Sequence, residues 1–184
     1  MTRIVAGSHG GRRLVVPPGV TTRPTSDRVR EALFSTVESM ADLTGSRFAD
    51  LYAGSGAVGL EAASRGAAAV LLVESDARAA RTIRTNITTL GLAGTCVLTT
   101  AKVATTLATP PAEPYDVIFA DPPYTAEDPE ITELLTALVP WLAEDGIAIL
   151  ERSTRSAPPS TVDALPLERT KRYGETALHY FRRA

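Results

Sequence analysis

The sequence predicts an α/β fold built on a mostly parallel sheet, and three observations carry that expectation. Short apolar runs at 48–52, 70–74, 95–99, 117–120 and 147–151 alternate with helix-like stretches at 58–65, 77–90 and 131–142, and a weaker one at 102–107. Strands that are apolar throughout and separated by helices imply a parallel sheet covered on both faces. The last segment breaks this rhythm: 165–172 and 177–182 read as two strands joined by Tyr173-Gly174-Glu175, an antiparallel ribbon that closes the sheet at seven strands. With 184 residues, 44% apolar and 22% charged, the chain has the composition of a globular domain and not of a disordered segment.

Each element has a local reason. Residues 2–16 form a candidate hairpin around Gly7-Ser8-His9-Gly10-Gly11, ended by Pro17-Pro18-Gly19. A connector over 20–24 leads to Thr25-Ser26-Asp27, which offers an N-cap. Val29, Leu33, Val37 and Met40 then recur at i, i+4, i+8 and i+11, the stripe of an amphipathic helix that Gly45 stops. This divides the chain into an N-terminal extension, 1–44, and a main domain, 45–184.

The charge is uneven. Residues 1–30 hold Arg3, Arg12, Arg13, Arg23, Arg28 and Arg30 against Asp27 alone, so a basic arm precedes a mildly acidic body while the whole chain carries only -2. Arms of this kind often bind phosphates. The longest apolar stretch, Ala67 to Val73, is far short of the ~20 residues a bilayer span needs, and the N-terminus has no apolar signal region. Cys96 is the single cysteine, and His9 and His179 lie far apart, so neither an internal disulfide nor a metal site is expected. A soluble, cytoplasmic, monomeric protein is the expectation.

The turn after the first strand is the most informative stretch: Asp50-Leu51-Tyr52-Ala53-Gly54-Ser55-Gly56-Ala57-Val58-Gly59. It follows a strand and opens a helix, the context that a G-x-G-x-x-G loop requires. Gly54 and Gly56 allow a sharp turn and close approach of a ligand, and Gly59 lets the helix pack near the sheet. Glu74 ends the next strand, where a carboxylate can accept both ribose hydroxyls of an adenosine. Asp50 would repel a pyrophosphate but help to hold an ammonium. That favours S-adenosylmethionine over a dinucleotide, and so disfavours a nicotinamide-dependent oxidoreductase.

The second signal is Asp121-Pro122-Pro123-Tyr124 after the fourth strand. Consecutive prolines remove two donors and fix the backbone, so nearby carbonyls point rigidly outward. An amine on an aromatic ring needs two acceptors and a stacking surface. Asp121 and the Pro122 carbonyl supply the acceptors, and Tyr124 supplies the ring.

Together these two motifs resemble the class I S-adenosylmethionine-dependent amino-methyltransferases, with their Rossmann-like fold. The N-terminal stretches Arg3-Ile4-Val5-Ala6-Gly7, Arg12-Arg13-Leu14 and Arg23-Pro24-Thr25-Ser26-Asp27-Arg28-Val29-Arg30-Glu31-Ala32-Leu33-Phe34 look like the RsmD-type guanine-N2 methyltransferases of 16S rRNA. The resemblance implies a cofactor held by Asp50, Tyr52, Ala53, Gly54, Ser55, Gly56, Gly59, Glu74, Ser75, Ala101 and Asp121. It implies catalysis by Asp121, Pro122 and Tyr124, and RNA contacts from Arg12, Arg13, Arg23, Arg28 and Arg30. The implied partner is the assembled or assembling small ribosomal subunit. One departure is Thr99-Thr100-Ala101-Lys102-Val103, where many relatives of the fold carry an acid or amide for the adenine amine; backbone near Ala101 is expected to serve instead. Other acceptors left open are an adenine-N6 amine and a protein glutamine amide, the latter disfavoured because glutamine-directed relatives typically have Asn at the position of Asp121. A non-catalytic RNA-binding assembly factor is the reading from another class.

Overall fold

The computed structural model describes residues 2–19 and 25–184. The chain divides into two compact units, Met1–Val103 and Ala104–Ala184, and residues 1–44 fall inside the first.

The first unit begins with β1 (Thr2–Arg3) and β2 (Arg13–Leu14), an antiparallel pair only two residues deep. The expected hairpin ends early because the Asn86 side chain takes both backbone groups of Val15, accepting its N–H at 2.8 Å and donating to its carbonyl at 2.9 Å. Then come α1 (Asp27–Met40), β3 (Arg47–Leu51), α2 (Ala57–Ser64), β4 (Ala69–Glu74), α3 (Ala77–Leu90) and β5 (Cys96–Thr100). The three longer strands run parallel in the order β5–β4–β3. Both long helices have side-chain N-caps, and that of α1 falls within the expected Thr25-Ser26-Asp27. Ser26 Oγ accepts from the Val29 N–H at 3.3 Å, and Asp76 Oδ2 accepts from the Ala79 N–H at 2.8 Å. Gly91, at φ 67°, ends α3 with a left-handed C-cap.

Every residue of α2 is buried. A Cβ at Gly59 would lie 2.9 Å from Leu72 Cδ2 and 3.1 Å from Asp50 Cβ, so only glycine lets this helix rest so closely on β3 and β4. The one charged residue of α2, Glu61, is fully buried. It accepts from the Val5 and Ala6 N–H groups at 2.8 and 3.0 Å and from Arg65 Nε at 2.9 Å. Arg30 completes this cluster: its guanidinium is fully buried, 3.5 Å from Glu61 and 2.6 Å from Asp27.

That placement corrects one expectation. Arg30 is not part of an RNA-binding arm; both its cationic ends are spent inside the protein, tying α1 to α2. Removing one member of such a buried pair costs about 3–5 kcal/mol, because the other charge is stranded.

The second unit carries β6 (Tyr115–Ala120), α5 (Asp128–Leu138), a 3-10 turn (Val139–Trp141), β7 (Leu142–Ser153), β8 (Leu167–Tyr173) and β9 (Thr176–Arg182), preceded by the short α4 (Val103–Leu107). The strand order is β6–β7–β9–β8. β6 and β7 are parallel, with Val117 opposite Ile147 and Ala120 opposite Leu150, whereas β9 pairs antiparallel with both β7 and β8. This is the antiparallel C-terminal ribbon the sequence predicts.

Several boundaries differ by a few residues, and two of the differences have a visible cause. α5 starts at Asp128 and not at Ile131, because Glu130 Oε2 reaches back to the Glu127 N–H at 2.8 Å and Pro129 suits a first helical turn. β7 extends back to Leu142, its first half disguised by the polar run Glu144-Asp145-Gly146. Among the described residues no helix is long and apolar enough to cross a membrane.

Candidate active site

The turn from β3 into α2 is a backbone-built cradle. Tyr52, Gly54 and Gly56 all have positive φ, at 62°, 60° and 82°. The left-handed conformation at Tyr52 costs about 1–2 kcal/mol for an L residue, and is kept because neighbouring bonds over-determine it. The Ala53 N–H donates to the Val73 carbonyl at 2.9 Å, and the Gly56 N–H to the Ala53 carbonyl at 2.8 Å.

Two carboxylates bind the cradle to its surroundings. Asp50 is 1% exposed and its Oδ2 accepts from the Gly59 N–H at 2.8 Å, so it fastens the first turn of α2 to the end of β3. Glu74, half-buried at the end of β4, accepts from the Gly54 N–H at 2.8 Å through one oxygen and from the Asp76 N–H at 2.9 Å through the other. A carboxylate oxygen has capacity beyond one such bond. Glu74 is therefore held in position while able to accept a pair of vicinal hydroxyls. A Cβ at Gly54 would meet nothing within 4 Å, so the space over this loop is open. Carboxylate, glycine turn and open space together fit an adenosine-bearing group.

The remaining expected residues are placed as follows. Ser55 is buried and its carbonyl accepts from Asn86 Nδ2 at 3.1 Å, which is a structural task. Ser75 is exposed beside Glu74. The Ala101 N–H donates to the Glu74 carbonyl at 3.2 Å, so this donor is already used within the strand ends.

The turn after β6 is built differently. Asp121 is half-buried, Pro122 buried, and Tyr124 84% exposed. Burial pushes the Asp121 carboxyl up to about 6, with the positive charge of Arg152 opposing part of that rise. Residues Pro123 to Ala126 close a turn, the Ala126 N–H donating to the Pro123 carbonyl at 2.9 Å. Arg152, on β7, is buried and donates to the Pro123 carbonyl at 3.1 Å and the Ala126 carbonyl at 2.7 Å. Near it on β9, His179 is buried and hydrogen-bonded to Thr170 at 2.9 Å. Burial, then Arg172 and Arg152, hold its pKa below the usual imidazole value. Arg152 and His179 escaped the sequence reading; a histidine inside the otherwise apolar run 177–181 was the available signal for the second, whereas Arg152 lies between Glu151 and Ser153 at the polar end of β7.

Of the remaining arginines proposed for RNA, Arg12, Arg13 and Arg28 are exposed, and Arg23 lies outside the described residues. Arg12 is seated at the end of α3 by a 3.1 Å bond to the Thr89 carbonyl. Along the same helix Arg78, Arg81 and Arg84 are exposed at i, i+3 and i+6, with no acid between Ala77 and Leu90.

The family described as conserved hypothetical protein 95 matches residues 2–182 of the chain. The chain belongs to this family. Ribosomal RNA small subunit methyltransferase D of Escherichia coli K12 is 34% identical over 181 residues, covering 98% of this chain and 89% of the relative. The Haemophilus influenzae protein of that name is 35% identical over 155 residues, covering 81% and 77%. A solved hypothetical protein of Thermus thermophilus superposes with a TM-score of 0.82 at 33% identity, over 98% of each chain. The RsmD-type resemblance read from the motifs and the Rossmann-like methyltransferase fold are both supported by these matches.

Proposed function

We propose that this chain transfers a methyl group from S-adenosylmethionine to the exocyclic N2 amine of one guanine in 16S rRNA. The coarser statement follows from family membership: the chain is an rRNA methyltransferase that uses S-adenosylmethionine. The observation that supports methylation of a ring-bound amine is the Asp121–Tyr124 turn, which combines a half-buried carboxylate, a proline-fixed carbonyl and an exposed aromatic ring; the choice of guanine N2 over adenine N6 rests on the RsmD-type resemblance of the N-terminal stretches.

When bound, S-adenosylmethionine supplies an electrophilic methyl on a sulfonium. The glycine turn at 52–56 and Glu74 would hold its adenosine, while the buried charge of Asp50 favours an ammonium nearby. The guanine amine is a poor nucleophile because its lone pair is delocalised into the ring. Asp121 and the Pro122 carbonyl accept hydrogen bonds from its two N–H groups, which localises that lone pair and aims it; Tyr124 stacks on the base. Alignment of well-oriented reactants can supply on the order of 7–11 kcal/mol, so no strong base is required. Asp121 orients the amine and takes up a proton late. An extruded base costs a few kcal/mol of stacking, which arginine–phosphate contacts offset. Arg12, Arg13 and Arg28 make those contacts, joined by Arg78, Arg81 and Arg84 on α3. In this reading residues 1–44 supply RNA contacts, 45–184 carry the chemistry, and the chain acts as a cytoplasmic monomer.

The test is incubation of the chain with labelled donor and undermethylated small subunits, followed by mapping of the modified base. Label on one guanine N2 of 16S rRNA is expected. Label on adenine N6 or on protein overturns the guanine assignment.

A further inference from the structure

We propose that Arg152 is a positioning residue for methyl transfer, its guanidinium closing the Pro123–Ala126 turn so that Pro122 and Tyr124 are held ready for the base. This rests on the acceptor role given to that turn above. Three observations converge on it. The two terminal nitrogens of Arg152 donate to two carbonyls of the same four-residue turn, at 3.1 and 2.7 Å. The Pro123 carbonyl also accepts from the Ala126 N–H at 2.9 Å, so one fork doubles the bond that defines the turn. Finally, Arg152 is buried although Tyr124, inside the turn, is 84% exposed. The exposed part of the site is therefore fastened from beneath by a side chain on a central strand.

The arrangement is specific to arginine. A planar fork can span two carbonyls, whereas a lysine ammonium can carry the charge but cannot span both with fixed geometry. The surrounding charges follow from strand register. Ala177 of β9 stands opposite both Arg152 of β7 and Arg172 of β8, putting two arginines in one row across a small residue. His179, opposite Leu150, occupies the next row of that face. Asp121 feels the positive charge of Arg152, and His179 feels those of Arg172 and Arg152.

The experiment compares Arg152→Lys and Arg152→Met with the wild-type chain. It measures S-adenosylhomocysteine affinity by calorimetry, kcat and KM on undermethylated subunits across pH, and amide exchange at residues 124–127. For Arg152→Lys the expected result is a kcat about 10- to 100-fold lower, unchanged S-adenosylhomocysteine affinity, faster exchange confined to the turn, and an acid limb still near its wild-type position. Arg152→Met should give the same pattern with the acid limb moved to higher pH. Wild-type kcat and exchange in Arg152→Lys would overturn the proposal. So would a folded variant that loses cofactor affinity and turnover together, and so would failure of both variants to fold, which would assign Arg152 to stability alone. Failure of the acceptor reading is separately visible, because Tyr124→Ala would then leave the kinetics untouched whatever Arg152 does.

Discussion

The turns after β3 and β6 both end a buried parallel strand, yet they are secured by opposite means. After β3 the backbone does the holding: three left-handed residues, and N–H groups of Gly54, Gly59 and Asp76 aimed at two carboxylates. After β6 prolines remove donors, and a side chain from a neighbouring strand supplies the bonds instead. The first arrangement leaves its acids hydrogen-bonded by the protein itself, ready for a ligand of fixed shape. The second leaves Asp121 poorly hydrated beside one cation, and Tyr124 open to solvent. A cofactor that is the same in every cycle suits a prebuilt cradle. A base that must be drawn from a folded RNA suits an exposed ring on a clamped turn.

The contrast is broken most severely at Asp121. Asp121→Ala should lower kcat on the order of 10³-fold, the scale seen when one preorganised polar partner of a transition state is removed. Affinity for S-adenosylhomocysteine should stay within about twofold. A loss of cofactor binding as large as the loss of turnover would mean that the two turns do not divide their tasks in this way.

The complementary substitution is Glu74→Gln, which keeps the shape and removes the charge that the Gly54 and Asp76 N–H groups face. Hydrogen bonds to a charged group contribute about 1.5–3 kcal/mol. Cofactor Kd should therefore rise about 10- to 100-fold, while kcat at saturation changes little. Equal kcat and Kd effects would place Glu74 outside the adenosine site. Tyr124→Ala comes next. Base–aromatic stacking is worth about 1–3 kcal/mol, so KM for the RNA substrate should rise about tenfold. With 84% of the ring exposed, thermal stability should not move.

This contrast also explains what could be read in advance. Elements whose signals are local were legible: α3 spans Ala77–Leu90, the range expected, and the apolar runs mark the strands. Asp50 and Gly59, and Gly54 and Glu74, are hydrogen-bonded pairs whose members stand at fixed spacing in the sequence, which is what made this turn conspicuous there. Arg152 leaves no such trace, since its partners lie 26 and 29 residues away. Arg30 shows the reverse failure. As one of six arginines in thirty residues it looked like part of a charged arm, yet Arg30, Leu33, Phe34 and Val37 share one helical stripe, all of them buried. The matching signal was Glu61, a lone acid in an otherwise apolar helix. Charge counting cannot tell a solvated arginine from one neutralised by a residue thirty-one positions on; periodicity could have.

The smallest expected effect separates the two turns by pH. Asp121 must be ionised to take up the proton that the methylated amine releases, and burial has pushed its pKa up to about 6. Turnover should rise with pH through about 6 and level off above about 7, falling about fourfold between pH 7 and pH 5.5. Stability should respond with the opposite sign. Between the ordinary value of 3.8 and about 6, the folded chain keeps a proton that the unfolded chain has released. The stabilising contribution of this group is therefore present at low pH and is lost as pH rises through that window. Asp121→Asn removes both dependences at once, flattening the acid limb of whatever turnover persists and the 4-to-6 segment of the stability curve. An acid limb that survives in Asp121→Asn would assign the titration to a different group and remove the claim that the acceptor turn works by desolvating its carboxylate.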